Sequence, residues 1–181
     1  MLDFSKNFFE LFGLPVGYII DTDQLAARYR ELQRVVHPDR YASASGQERR
    51  ISMQGAAQVN EAYQTLKDPI RRAGYLLSLK GIDMDLQKET TRDGEFLMEQ
   101  LELREELEQA REKPDPYKVI ASLVADINRR ITALVGQMAV QLETASPDQL
   151  EAAREILRKM QFLQKFRYDA ESLEAELDEM V

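Results

Sequence analysis

The chain has 181 residues, with no Cys, no Trp and a single His, and its formal net charge is −8. Without Cys it cannot form disulfides, bind zinc or an iron–sulfur cluster through thiolates, or use a cysteine nucleophile. A single His cannot build a multi-histidine metal site, so composition leaves only carboxylate-based sites open. The acidic balance argues against nucleic acid as a general partner.

The charge is distributed unevenly along the chain. Residues 1–80 contain 11 Lys and Arg against 9 Asp and Glu, whereas residues 81–181 contain 13 against 23. Such asymmetry predicts two modules that face different partners. The first residues lack the apolar core of a signal peptide, and no apolar run reaches the ~18 residues of a membrane span, so we expect a cytoplasmic protein.

Apolar residues recur with a period near 3.6 along most of the chain and strand signals are nearly absent, which predicts an all-α fold. In a first domain, 1–80, we expect helices over 5–12, about 21–36, 48–67 and 70–79, with a loop at 38–47. Pro38 must end the second helix, because proline has no N–H and disfavours a helical residue before it. Asp68-Pro69 and Gly81 end the third and fourth helices.

We expect residues 81–94 to form a polar linker and residues 95–181 to form a second domain. Three longer helices are expected there, over 95–112, 116–142 and 147–179. The short, proline-containing connections between them predict an antiparallel three-helix bundle. An apolar stripe that includes Ile120, Ile127 and Met138 marks the buried side of the middle helix.

The tripeptide His37-Pro38-Asp39 directly follows the second helix. Arg30 and Arg34 point away from that helix's apolar stripe, so they form a basic face that ends beside Asp39 and Arg40. Arginines can steer an encounter, a carboxylate held by a loop can pair with a specific cation, and Pro38 limits the entropy lost on binding. This pattern predicts docking onto an acidic protein surface.

These residues carry a family resemblance. The stretch LQRVVHPDR followed by QVNEAYQTLKDPIRRAGYLLSLKG resembles a J-domain, the module by which co-chaperones stimulate ATPases of the 70-kilodalton heat-shock family. With NFFELFGLP and FLMEQLELREELE, the resemblance extends over about residues 7–180 to the HscB-type co-chaperones of bacterial iron–sulfur cluster assembly. It implies that His37, Pro38 and Asp39 trigger ATP hydrolysis on the chaperone HscA and that the bundle holds the cluster scaffold protein IscU, without a cofactor or enzymatic activity of this chain.

Two departures from related patterns refine the resemblance. Generic J-domains end the fourth helix with Arg-Ala-x-Tyr-Asp, whereas here residues 72–76 read RAGYL, which fits the HscB branch. Eukaryotic relatives carry a cysteine zinc module at the N-terminus, and the absence of Cys indicates a bacterial protein.

The helix predicted over 95–112 carries two apolar faces. Phe96, Leu103 and Leu107 share the core seam, whereas Leu97, Met98 and Leu101 lie well off it, among carboxylates. An apolar strip rimmed by carboxylates predicts a protein-binding surface. The resemblance implies that the scaffold-binding residues are Leu97, Met98, Leu101, Glu102, Glu105 and Phe162, and that Gln109 stands where the family has an acidic residue.

Alternatives remain open at this point. The tripeptide can be a plain helix stop, and packing of the first domain on the bundle can cover Leu97 or Leu101. The whole chain can be a general J-protein that feeds unfolded clients to a housekeeping chaperone, a purely structural bundle, or a helical enzyme with paired carboxylates, although no such pair is evident by spacing. The acidic stretch 171–179 is expected to be a solvated helix face, and the pairs Arg49-Arg50 and Arg71-Arg72 are expected to be surface or helix-end charge.

Overall fold

The computed structural model describes residues 6–36, 45–82, 84 and 93–179. Those residues form seven helices and no strand, which confirms the all-α prediction. The chain divides into two compact units, Met1–Gly81 and Ile82–Val181. The helices are α1 (Phe8–Phe12), α2 (Thr22–Val36), α3 (Gly46–Lys67), α4 (Pro69–Leu79), α5 (Gly94–Ala110), α6 (Pro116–Thr144) and α7 (Pro147–Glu179).

The helix starts in the first unit are set by capping side chains. Asn7 accepts a hydrogen bond from the Glu10 N–H while the Glu10 carboxylate accepts one from the Asn7 N–H, so α1 begins at Phe8, later than predicted. Ser45 and Glu48 form the same reciprocal pair, so α3 begins two residues before its predicted start. These pairs satisfy N–H groups that have no partner inside the helix.

An α2–α3 hairpin makes the body of the first unit. The Tyr29 and Tyr63 rings stack with their centroids 4.0 Å apart, and the Tyr29 hydroxyl donates to Asn60 Oδ1 at 2.8 Å. Further along, Ser52 near the start of α3 meets Val36 at the end of α2, so the two helices run antiparallel. The fully buried side chains of this unit include Phe9, Phe12, Leu25, Val59, Leu66 and Leu77.

Of the two predictions for the Arg71-Arg72 pair, surface charge is wrong for Arg72, whereas helix-end charge agrees with its contact to the last turn of α3. Arg72 is buried, its Nη1 donates to the Leu66 carbonyl at 2.5 Å, and its guanidinium lies 5.1 Å from the centre of the Tyr18 ring. Burial lowers the pKa of Arg72 and raises the pKa of Tyr18 to about 12. A backbone carbonyl and an aromatic face stabilise this buried charge, while Arg71 at the preceding position stays exposed.

In the second unit, α5, α6 and α7 form the predicted antiparallel bundle. One buried cluster joins Leu103, Leu123, Ile127, Leu163 and Phe166, and a second joins Ala110, Ile120, Ala170 and Leu173. Moving from the first cluster to the second, residue numbers rise in α5 and α7 and fall in α6, which gives the antiparallel order. Helix α5 ends two residues earlier and α6 two residues later than predicted, with Ala145 in the left-handed conformation after α6 (φ 52°).

Candidate functional site

The first candidate surface is the exposed face of α2. Arg30 and Arg34 are exposed, one helical turn apart, while Leu25 and Val36 on the opposite side are buried. The structure therefore bears out the basic face that the helical spacing predicts. His37, Pro38, Asp39 and Arg40 lie outside the described residues, so their role stays a prediction.

A hydrogen bond that the sequence analysis missed lies at the end of this helix. The Ser52 side chain is buried, and its hydroxyl donates to the Val36 carbonyl at 2.8 Å. Val36 directly precedes His37 in the sequence. Helix α3 thus holds the last described carbonyl of α2, the point from which the tripeptide begins. The only signal in the sequence is a small polar residue on the inner side of α3, and that signal is weak.

The second candidate surface is the apolar strip on α5, formed by Leu97, Met98 and Leu101. Their exposed fractions are 42%, 59% and 53%, whereas Phe96 and Leu103 on the same helix are only 5% and 4% exposed. One face of α5 is therefore buried in the bundle and the α5 strip is not, as the helical spacing predicts. An exposed cluster of large apolar side chains is typical of a surface that binds another protein.

Acidic side chains accompany the α5 strip. Glu102, Glu105 and Glu108 are exposed on the same helix, and Gln109 is exposed near its end. At neutral pH, this face of α5 therefore carries negative charge beside an apolar surface. Such an arrangement suits a partner that presents apolar and basic groups together.

Phe162 of α7 lies beside α5, although it is far away in the sequence. Its ring makes an edge contact with Phe96 (centroids 5.5 Å apart), and the Arg104 guanidinium lies 5.9 Å from its centre. A groove of about 350 Å³ runs along this side of the two helices, lined by Arg104, Leu107, Glu108, Phe162, Lys165, Phe166 and Asp169. Packing of the bundle thus places Phe162, the predicted site residue on α7, beside the helix that carries the α5 strip. The Phe162 side chain is half-buried.

Two further findings concern the kind of site that the chain offers. Across residues 6–36, 45–82, 84 and 93–179, no group of three or more His, Asp or Glu side chains is placed to hold a metal ion. None of the helices found in those ranges is long and apolar enough to cross a membrane. The two surfaces described above are both suited to contacts with other proteins.

The class of protein follows from these surfaces and from sequence comparison: this is a J-domain protein with a helical C-terminal domain. Residues 7–75 match the DnaJ domain family, and residues 92–171 match the family described as the HSCB C-terminal oligomerisation domain.

Relatives identify the family more closely. The chain is 43% identical to the "Co-chaperone protein HscB homolog" of Shewanella amazonensis over 93% of its length and 97% of the relative's. It is 46% identical to the HscB homolog of Vibrio cholerae, over 94% and 98%. The chain belongs to the HscB family of J-domain co-chaperones, the co-chaperones of iron–sulfur cluster assembly.

Solved structures agree with this assignment. The chaperone HscB from Vibrio cholerae superimposes with a TM-score of 0.82 at 41% identity, covering 95% of this chain and 99% of that one. The human co-chaperone HscB superimposes with a TM-score of 0.85 at 28% identity, covering 95% and 84%. The family resemblance and the fold class inferred from the sequence are both confirmed.

Proposed function

We propose that this chain binds the scaffold protein on which iron–sulfur clusters are assembled, delivers it to an HscA-type chaperone in the cytoplasm, and stimulates the ATPase activity of that chaperone. The observation that carries the proposal is the exposed α5 strip in the same chain as a J-domain. The chain supplies contacts, and the hydrolysis and the cluster chemistry take place on its partners. No cofactor of its own is involved.

The chaperone contacts are assigned to the first unit, through Arg30, Arg34, His37, Pro38, Asp39 and Arg40. The exposed arginines of α2 support this assignment, because they supply a basic face for an acidic ATPase surface. The carboxylate of Asp39 would pair with a cation on the ATPase. Contacts of this kind accelerate hydrolysis when they are stronger in the hydrolysis-competent state of the chaperone than in its other states.

The scaffold contacts are assigned to Leu97, Met98, Leu101, Glu102, Glu105 and Phe162. The exposure of the α5 strip and the position of Phe162 beside α5 support this assignment. Large apolar side chains that become fully buried contribute most of the affinity of an interface, and charged neighbours mainly orient the partner. The flexible thioether of Met98 can adapt to the shape of the partner.

Asp39→Asn tests the chaperone side of the proposal. The substitution removes the negative charge and keeps the shape, so we expect stimulation of the HscA-type ATPase to be lost in a steady-state assay while the circular dichroism spectrum is unchanged. Asp23→Asn, at an exposed position in the first turn of α2, is the matched control and should stimulate normally. Normal stimulation by Asp39→Asn would refute the docking role.

The triple variant Leu97→Ala, Leu101→Ala, Phe162→Ala tests the scaffold side. Loss of three apolar anchors should weaken scaffold binding by about 3 kcal/mol, measured by titration calorimetry. Met53→Ala with Val140→Ala removes apolar side chains that are more exposed and lie on other helices (64% and 60%), and should leave the affinity unchanged. If the wild type binds a chemically unfolded protein as well as it binds the folded scaffold, the general J-protein alternative is correct instead.

A further inference from the structure

The proposed scaffold site is assembled from two helices that are distant in sequence. Leu97, Met98 and Leu101 belong to α5, and Phe162 belongs to α7. A rigid partner contacts all four only if the spacing between α5 and α7 is fixed before it arrives, because adjusting that spacing on binding costs affinity. The contacts that hold the first turns of α5 against α7 are therefore of functional interest.

One such contact is an ion pair between Lys159 and Asp93. Lys159 Nζ donates to Asp93 Oδ2 at 2.5 Å, and the two side chains are only 27% and 35% exposed. Lys159 precedes Phe162 by three residues, so both side chains lie on the same side of α7. The same ammonium group lies 5.3 Å from the centre of the Phe96 ring, and that ring makes the edge contact with Phe162.

Asp93 also determines where α5 begins. Its Oδ1 accepts a hydrogen bond from the Phe96 N–H at 3.1 Å, and its backbone carbonyl accepts one from the Leu97 N–H at 3.0 Å. One carboxylate thus caps the turn that precedes the α5 strip and binds the helix that carries Phe162. The bonds to Lys159 and to the Phe96 N–H lower the pKa of Asp93, so the carboxylate stays ionised at neutral pH.

We propose that Lys159 and Asp93 are a positioning pair for scaffold binding, which fixes the α5 strip relative to Phe162 without touching the scaffold. This inference rests on the proposed function, because it assumes that both helices contact the scaffold. It assigns a role to two residues that lie outside the set assigned above to the partner contacts.

A second α5–α7 ion pair provides a matched control. Arg111, directly after α5, donates through Nη2 to Glu176 Oε2 at 2.5 Å, and these side chains are 51% and 59% exposed. Fourteen residues of helix separate Leu97 from Arg111, or about 20 Å. This pair joins the same two helices at the end remote from the α5 strip, so it contributes to the bundle without positioning the strip.

The test is a double-mutant cycle on scaffold affinity, measured by calorimetry on the full chain. Lys159→Met removes the charge, and Asp93→Asn removes the charge while Asn still caps the helix. We expect each single variant to raise the scaffold Kd about tenfold, or ~1.4 kcal/mol. The double variant should be no weaker than either single variant. Lys159→Arg keeps the positive charge and should retain most of the wild-type affinity. In every variant, stimulation of the ATPase in the absence of scaffold should be unchanged.

The other outcomes each overturn the inference. If Lys159→Met weakens binding equally in the wild-type and Asp93→Asn backgrounds, Lys159 contacts the scaffold directly and is not a positioning residue. If Arg111→Met and Glu176→Gln raise the Kd as much, the effect is general bundle stability, which thermal unfolding of all variants measures independently. If the triple alanine variant loses binding while Lys159→Met binds normally, only this inference fails; if the triple variant binds normally, the proposed scaffold site itself fails.

Discussion

At the scale of single residues, the hydrogen bond from Ser52 to the Val36 carbonyl is the contact whose removal is easiest to interpret. Carbonyls in the last turn of a helix lack partners within the helix, and Val36 is buried, so Ser52→Ala leaves this carbonyl without its present partner. We expect the free energy of unfolding to fall by about 1–2 kcal/mol. Urea titration followed by circular dichroism measures this change.

Ser78→Ala is the control for that measurement. The Ser78 hydroxyl also donates to a backbone carbonyl, that of Tyr75, at 2.8 Å. Ser78 is exposed, however, so water can replace its hydroxyl as the donor to that carbonyl. Its removal should change the free energy of unfolding by less than about 0.5 kcal/mol. Equal losses in the two variants would show that burial of the Val36 carbonyl does not matter.

The burial of a single side chain can be predicted from the sequence when helical spacing alone determines it. The split of α5 into buried Phe96 and Leu103 and exposed Leu97 and Leu101 follows from helical spacing alone, because neighbouring positions point in different directions. The burial of Arg72 does not follow from helical spacing. It depends on Tyr18, which reaches α4 from the segment between α1 and α2, and no periodicity in the sequence reports that approach.

At the scale of helices, the exposed basic face of α2 makes a kinetic prediction. Charges on a solvated face act over about one Debye length, ~10 Å at 0.1 M salt, and mainly accelerate encounter. The association rate of the chain with the HscA-type ATPase should therefore fall as salt rises, while dissociation changes little. Stopped-flow fluorescence at several salt concentrations measures both rates.

Charge-neutral variants assign that effect to α2. Arg30→Gln with Arg34→Gln should flatten the salt dependence of the association rate. Arg71→Gln with Lys80→Gln removes two exposed positive charges from α4 and the residue that follows it, and should flatten the salt dependence much less. If the association rate of the wild type does not change with salt concentration, electrostatic steering by α2 is refuted.

Helix boundaries were less predictable than helix existence. The starts of α1 and α3 depend on the pairs Asn7 with Glu10 and Ser45 with Glu48, a spacing that is visible in the sequence and favours an earlier start for α3 than periodicity alone does. The early end of α5 at Ala110 follows no such signal: Arg111 keeps helical dihedral angles, and the chain leaves the helix through a turn.

At the scale of the whole molecule, the charge asymmetry and the segment 81–94 predicted two modules, and the structure divides into units between Gly81 and Ile82. Residues 83 and 85–92 of that segment lie outside the described residues, so the linker stays a prediction. The position of Phe162 beside Phe96 could not be predicted from periodicity, since it requires knowing how α7 packs on α5. The helices of the proposed scaffold site could therefore be predicted from the sequence, whereas their alignment depends on tertiary packing.

If the chain works by delivering the scaffold to the ATPase, both surfaces must be present in one molecule. Linking two binding events raises the effective concentration of the second to about the millimolar range, an advantage that separate molecules do not have. A mixture of Asp39→Asn, which keeps the scaffold surface, and the Leu97→Ala, Leu101→Ala, Phe162→Ala variant, which keeps the J-domain, should therefore fail to reproduce the wild type. In a steady-state ATPase assay with scaffold present at low micromolar concentration, we expect the mixture to stimulate no more than the triple variant alone. Wild-type stimulation by the mixture would mean that the two surfaces act independently, and that the chain does not couple delivery of the scaffold to ATP hydrolysis.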